Sequence, residues 1–355
     1  MDSKRFTAIT GRYNELKVAV FGDFCLDRYL EIDPSKREVS LETGLPVHCV
    51  VNVRPQAGAA GTILNNLVAL KIGDIYPVGF AGQDGEGFEL MEALKHASGV
   101  HLSHFIQTEQ RRTFTYCKPM VMEPGKPPVE LNRLDLKNWT PTPALLQELL
   151  RNKLVRVAQF VDAIIILDQV EVPESGVVTR DVMRTLKEIV ESDPDLLVLA
   201  DSRRGLSGFP SMTFKMNAAE LASLTGGKQA ASLEEIKQVA SELARERRRN
   251  IFVTLAERGI LGAAPSGEIQ HLPALPNRGA IDIVGAGDAV TANLTAALAA
   301  GASLREALEL ANAAGSVVIH KLGTTGTASV PELAALLEPA AAEKADSSPD
   351  NSGAT

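Results

Sequence analysis

Five short stretches of the chain are almost continuously apolar and rich in β-branched residues: Leu16–Gly22, Ile75–Gly79, Val161–Leu167, Leu196–Ala200 and Ile251–Leu255. Apolar runs this short, without polar alternation, are the pattern of strands buried on both faces, as in a parallel sheet. Between them, residues 60–70, 177–190, 233–245 and 304–322 carry apolar side chains at helical spacing. Strand and helix alternate, which predicts an α/β architecture: a doubly wound, mostly parallel sheet flanked by helices.

Two stretches break the alternation. Residues 28–54 and 105–135 lack a helical pattern and contain period-2 segments such as Phe114–Val121. They are expected to form strands outside the main sheet, a small β flap or lid; long surface loops are the alternative. The main domain is expected over residues 16–338, after an N-terminal extension at 1–15. The Ala-, Ser- and Asp-rich segment 339–355 is expected to be disordered.

Composition narrows the class. Of 355 residues, 45% are hydrophobic and 23% charged, which is a globular balance and excludes disorder along the whole chain. The net charge of −8 disfavours a nucleic-acid binder, which needs a basic face, but leaves room for a local site for a small phosphorylated ligand. The three cysteines, Cys25, Cys49 and Cys117, are scattered and form no CxxC pair, which predicts neither a disulfide framework nor a zinc site and fits a reducing cytoplasm. The first ten residues do not read as a secretory signal, and no run of 18 apolar residues predicts a membrane span.

The strongest chemical signal is Asp282-Ile283-Val284-Gly285-Ala286-Gly287-Asp288, which opens a small-residue helix over 289–300. Glycines permit a sharp turn, and the unpaired amides of a helix start then point at one spot of positive potential. Such a spot suits phosphate, or charge developing on a transferred phosphoryl group. Asp288 beside it could accept a proton from an attacking hydroxyl. An ordinary N-cap aspartate behind a glycine turn explains the spacing equally well. Asn217 and Glu220, three apart after a buried strand, suit Mg²⁺ held partly through water; a solvated helix start is their plainer explanation. Residues 79–85 look like a phosphate loop, but no Gly-Lys-Ser/Thr follows. The glycines of Ala57-Gly58-Ala59-Ala60-Gly61 admit a close ligand or a close helix. Asp23 and Asp27 follow the first strand, at the edge where open α/β sheets bind ligands, with turn capping as the alternative. The six histidines show no metal-binding spacing.

Taken together and in order, these segments resemble the ribokinase/PfkB carbohydrate kinases. The segment 282–288 resembles the family's C-terminal signature. Asn217-Ala218-Ala219-Glu220 matches its Asn-x-x-Glu motif, and residues 79–85 its Gly-x-x-Gly-x-Asp pattern. Val253-Thr254 through Gly259, Asn312 to Gly315, and Lys321 to Gly326 resemble its nucleotide side. Within the family, Gly22 to Tyr29, Val39 to Val47 and Asn132 to Asp135 resemble the heptose 7-phosphate kinases.

The resemblance implies a ribokinase-like fold and ATP-dependent phosphorylation of a sugar or sugar phosphate. D-glycero-D-manno-heptose 7-phosphate is the first acceptor it suggests, with another monosaccharide or a nucleoside as the alternative. It implies Asp288 as general base, with the amides of Gly285, Ala286 and Gly287 holding the transferring charge. Asn217 and Glu220 would serve Mg²⁺. Thr254, Gly259, Asn312, Gly315 and Gly323 would line the ATP pocket. Asp27, Gly58 and Gly61 would hold the sugar. Asp282 and carbonyls near Gly323 would form a monovalent-cation (K⁺) site, and the lid would serve as a homodimer contact. The chain departs from the pattern at Ala57 and Gly61, where the heptose kinases carry Gly and Asn, at Asp168-Gln169-Val170, and at Val284, usually Thr. No HxGH-type nucleotidyltransferase segment follows, so a kinase without that second activity is expected. The altered substrate side leaves one reading from another class, a catalytically silent sugar-binding regulator.

Overall fold

An eight-stranded sheet forms the centre of the molecule, a computed structural model that describes residues 1–227 and 232–337. Its strands are β1 (Lys17–Gly22), β6 (Asp74–Val78), β12 (Ala163–Asp168), β13 (Leu197–Ser202), β14 (Thr213–Asn217), β15 (Ile251–Thr254), β16 (Ile260–Ala263) and β17 (Ile269–Leu272). They run in the order β17-β16-β15-β14-β13-β12-β1-β6. All neighbours from β6 to β15 are parallel, and β16 and β17 close the edge antiparallel.

Both faces are covered, as the unbroken apolar runs require. Val18, Val20, Ile165, Leu167 and Phe252 point into one layer, with α1 (Ser3–Thr10), α2 (Ala60–Ala69), α8 (Ala286–Ala299) and α9 (Leu304–Val318). Ala19, Phe21, Ile164, Ile166 and Val253 point into the other, with α4 (Ala144–Ala158), α5 (Arg180–Ser192), α6 (Ala218–Thr225) and α7 (Leu233–Arg247). Residues 1–15 pack against the first layer through Phe6, Ile9 and Tyr13, and Arg5 pairs with Glu306 of α9. Among the described residues no helix is long and apolar enough to cross a membrane.

The second sheet is the expected flap. It comprises β2 (Phe24–Ile32), β5 (Val50–Ala59), β9 (Phe114–Val121), β10 (Val129–Glu130) and β11 (Leu134–Leu136), in the order β10-β9-β2-β5 with β11 also on β9. Two small pairs, β3 (Glu38–Val39) with β4 (Pro46–Val47) and β7 (Phe80–Gly82) with β8 (Ile106–Thr108), complete the strands, and α3 (Gly85–Lys95) packs beneath the flap.

Several expectations shift. Only Asp23 separates β1 from β2, so the flap begins earlier than residue 28, and Asp27 lies inside its sheet rather than in a turn after the first strand. The period-3.6 stretches at 177–190 and 304–322 overran the real helices. Thr179 caps α5, and α9 ends at Val318. The strands β14, β16 and β17 were not foreseen. They are four or five residues long, and Lys215 and Asn217 interrupt the apolar signal of β14. The segment 339–355, expected to be disordered, lies outside the described residues.

Candidate active site

The carboxyl ends of β1, β12, β13 and β14 share one edge of the sheet, beneath the flap. Here α8 begins. Gly285, at φ +82°, precedes its first turn, and a Cβ there would stand 2.8 Å from Thr325 Cγ2, so only glycine makes this turn. Asp288 sits in the first turn and, with Lys215, Asp201 and Glu220, lines a cleft of about 290 Å³. Burial, then the Asp201 carboxylate, push Asp288 up to about 7, against the pull of Lys215. An aspartate raised into this range can accept a proton near neutrality.

Lys215 is the residue that sequence reasoning missed. Its side chain is buried, Nζ lies 2.7 Å from Asp201 Oδ2, and a Cβ added at Gly287 would lie 3.1 Å from it. Thr291 Oγ1, one turn on in α8, donates to the same Asp201 oxygen at 3.0 Å. Burial lowers Lys215, and Asp201 more than restores it, so it remains a cation facing the start of α8. The signal was present: a lysine two residues before Asn217, set between the apolar Phe214 and Met216.

The helix-start amides need one correction. Ala286 N–H donates to the Ile283 carbonyl at 3.2 Å, so its amide is already engaged; Gly287 and Asp288 are the next amides of the first turn, where helices leave donors without intrahelical partners. Asn217 and Glu220 form a capping box on α6. Asn217 Oδ1 accepts from Glu220 N–H at 2.9 Å, and Glu220 Oε2 accepts from Asn217 N–H at 2.7 Å. Their spacing thus makes a helix start, and Glu220 also lines the cleft, its carboxyl raised by burial. Asp282 has other partners. Its carboxylate accepts from Val284 N–H at 3.0 Å and from Gly323 N–H at 3.2 Å, tying the 282–284 turn to the 323–325 loop. The Gly323 carbonyl in turn accepts from Arg54 of the flap at 3.4 Å. Among the described residues no three His, Cys, Asp or Glu side chains cluster as metal ligands.

Four of the five expected nucleotide residues lie between β15 and α9, and Gly323 lies in the loop tied to Asp282 and Arg54. Thr254 stands opposite Asn217 at the end of β15. Gly259, at φ +92°, turns the chain into β16, and a Cβ there would strike the Leu272 carbonyl at 2.0 Å. Asn312 donates to the Pro273 carbonyl at 2.8 Å, and Gly315 packs by Val290. These contacts are structural.

On the flap side, Asp27 is buried. Lys118 Nζ lies 3.2 Å from its Oδ1, Thr325 Oγ1 donates to Oδ2 at 3.4 Å, and Gly58 leaves only 2.8 Å for a Cβ above the carboxylate. At Gly61 an added Cβ would stand 2.6 Å from the Ala57 methyl and 3.8 Å from the Phe24 ring, so the two departures from the Gly…Asn pattern pack against each other. Asp23 is a staple: its carboxylate accepts from the amides of Gln169, Val170 and Val177. Asp168 is held by Arg204 and Ser202. In the 79–85 loop Asp84 caps α3, its carboxylate accepting from Gly87 and Thr113.

Comparison with known proteins matches residues 16–331 to the pfkB family carbohydrate kinase model. The chain is 28% identical over 330 residues to the bifunctional protein HldE of Trichlorobacter lovleyi, covering 92% of this chain and 64% of that protein. It is 28% identical over 327 residues to the bifunctional protein HldE of Azorhizobium caulinodans, covering 92% and 65%. It thus spans a little under two thirds of the length of these relatives. Among solved structures, Arabidopsis thaliana ribokinase complexed with ribose and ATP superposes with TM-score 0.60 at 20% identity, over 94% of this chain and 99% of that one. Escherichia coli phosphofructokinase-2 in complex with potassium gives 0.68 at 17% identity, over 90% and 97%. The fold is ribokinase-like, as expected.

Proposed function

The chain belongs to the pfkB family of carbohydrate kinases, and from that premise we propose that it phosphorylates a hydroxyl of a sugar phosphate at the expense of ATP. D-glycero-D-manno-heptose 7-phosphate is the first acceptor to test. The observation that carries the reading is Asp288 with its proton affinity raised to about 7, at the start of a helix, in a cleft that also holds Lys215 and Glu220.

In this reading the acceptor hydroxyl lies between Asp27 and Asp288. Asp288 accepts its proton as the oxygen attacks phosphorus. The amides of Gly287 and Asp288 and the Lys215 ammonium face the charge that develops on the transferring group. Asp201 and Thr291 hold that ammonium in place. The donor set suits Mg²⁺: Glu220 lines the cleft with Asn217 three residues before it, an arrangement that fits a water-coordinated ion. Mg²⁺ would neutralise phosphate charge there. The wall from Thr254 and Gly259 to Asn312 and Gly315 would receive the nucleotide base. Asp282 and the loop at Gly323 would hold K⁺ if activation by K⁺ is found. The exposed apolar side chains Val50, Val51 and Val53 of β5, with Val39, Leu41 and Leu45 of the neighbouring β3–β4 segment, support a homodimer through this side of the flap. Reduced Cys25, Cys49 and Cys117 fit a cytoplasmic setting.

The test is ATP consumption with Mg²⁺, with and without K⁺, against sugars, sugar phosphates and nucleosides. Turnover on a sugar phosphate, lost by several orders of magnitude in Asp288→Asn with ATP binding retained, is the expected result. Silence on every acceptor, with ATP still bound, would overturn the reading and favour a binding protein.

A further inference from the structure

A second cavity of about 290 Å³ lies at the other edge of the main sheet, where β13 and β14 begin. These two strands are parallel, yet residues 203–212 join them without the usual crossover helix. Gly205 at φ +90°, Gly208 at φ +82° and Pro210 break any helical run there. The strands pair only at Leu199 with Thr213 and at Ala200 with Phe214, so Leu197 and Val198 extend below the start of β14. The space beside them is walled by Val190 of α5, Met212 and Leu298 of α8. Two charged residues line it as well. Arg249 follows α7, and its guanidinium donates to the Arg248 carbonyl at 3.2 Å. Asp195 sits on a fixed turn, where the Asp193 carboxylate accepts from the amides of Asp195 and Leu196 at 3.2 Å each. Among the described residues neither the Arg249 guanidinium nor the Asp195 carboxylate has an ion-pair partner.

Opposite charges that share a cavity without pairing are complementary to a ligand that carries both. A simple anion would meet Arg249 but face Asp195, and a simple cation would do the reverse. A neutral apolar molecule would strip water from both charges and return nothing. A zwitterion satisfies each, and the apolar wall takes a short hydrocarbon side chain. Small-molecule pockets run upward from about 300 Å³, so the volume suits a small ligand. We propose that this cavity binds an α-amino acid with an apolar side chain: its carboxylate on Arg249, its ammonium on Asp195, and its side chain against Val190, Met212 and Leu298. The site is apart from the cleft and goes beyond the kinase reading, on which it does not depend.

The test is titration calorimetry on the full chain with L-leucine, L-valine and L-methionine, which needs no turnover. At least one should bind with Kd of about 1 mM or tighter. For the tightest, the analogue without the ammonium and the one without the carboxylate (4-methylpentanoate and 3-methylbutylamine for L-leucine) should each bind about 10-fold more weakly. Arg249→Gln should raise Kd about 10-fold, and Arg249→Lys, which keeps the charge, by less. Asp195 is exposed, so Asp195→Asn should raise Kd by only about 3-fold, and it should leave the carboxylate analogue bound as well as before or better. Thermal melts confirm that the variants fold. Saturating ATP should not displace the amino acid. No binding of any of the three would overturn the proposal. So would a carboxylate analogue that binds as tightly as its amino acid, which makes the cavity a simple anion site. Wild-type affinity in Arg249→Gln, or displacement by ATP, would overturn it too by placing the amino acid elsewhere. All of these outcomes leave the kinase reading standing.

Discussion

Replacing Asp288 with asparagine should make the protein more stable while it stops turnover. Burial and the Asp201 carboxylate raise Asp288 from the ordinary 3.8 to about 7. At about 1.36 kcal/mol per pH unit, keeping this carboxyl ionised in the folded protein costs about 4 kcal/mol above pH 7. Asp288 retains a partial opening to cleft water, which lowers the figure to about 2 kcal/mol. The sign follows from linkage. The folded value lies above the unfolded one, so the stability contributed by the protonated carboxyl is complete below about pH 4 and is lost as pH rises through about 7. The neutral amide never bears this cost. Guanidinium denaturation of both proteins should therefore show the variant ahead by about 2 kcal/mol at pH 8.5, and by less than half of that at pH 5. Turnover is read on the same samples. A variant no more stable at pH 8.5, or equally favoured at both pH values, would refute the placement of an ionised Asp288 beside Asp201. Unimpaired turnover would refute its role as base.

Three further outcomes follow from the same geometry. For the wild type, kcat/KM should climb with pH through about 7 as Asp288 loses its proton, and a profile flat from pH 5.5 to 9 would count against it. Lys215→Met leaves Asp201 without its ion pair; it should cost about 3–5 kcal/mol in denaturation, lower kcat by roughly 100-fold or more, and move the rising limb to higher pH, because Lys215 pulls Asp288 downward. Gly259→Ala places a Cβ 2.0 Å from the Leu272 carbonyl at φ +92°, so a thermal melt should show a loss on the order of 2–4 kcal/mol, and wild-type stability would refute the tight turn.

Much of the chemistry lay open in the chain. The Gly285-Ala286-Gly287-Asp288 run, placed before a small-residue helix, predicts a helix start with a carboxylate in its first turn, and α8 begins there with Asp288 in that turn. The five apolar runs each became a central strand, because a strand covered on both faces needs no polar alternation and leaves an unmistakable signature. The Asn217 and Glu220 pair was visible too, yet spacing alone could not separate metal binding from a capping box, since both want an acceptor three residues from a carboxylate.

The partners across the cleft were a different matter. Asp201, Lys215 and Thr291 are brought within hydrogen-bond reach although up to 90 residues separate them. Lys118 meets Asp27 from a strand 91 positions later in the sequence. A Cβ at Gly61 would meet the Ala57 methyl, a contact between two positions of one glycine-rich segment that spacing does not reveal. Local propensity and spacing fix which residues can form a turn, a cap or a strand, because those depend on neighbours a few positions away. Which charge faces which depends on strand order and on the crossing of the flap over the sheet. The sequence by itself determined the sheet, the glycine turn and the kind of chemistry. Only the tertiary structure decided that two buried lysines are paired with carboxylates far away in the sequence, Lys215 with Asp201 and Lys118 with Asp27, because burial and pairing are properties of the packed chain.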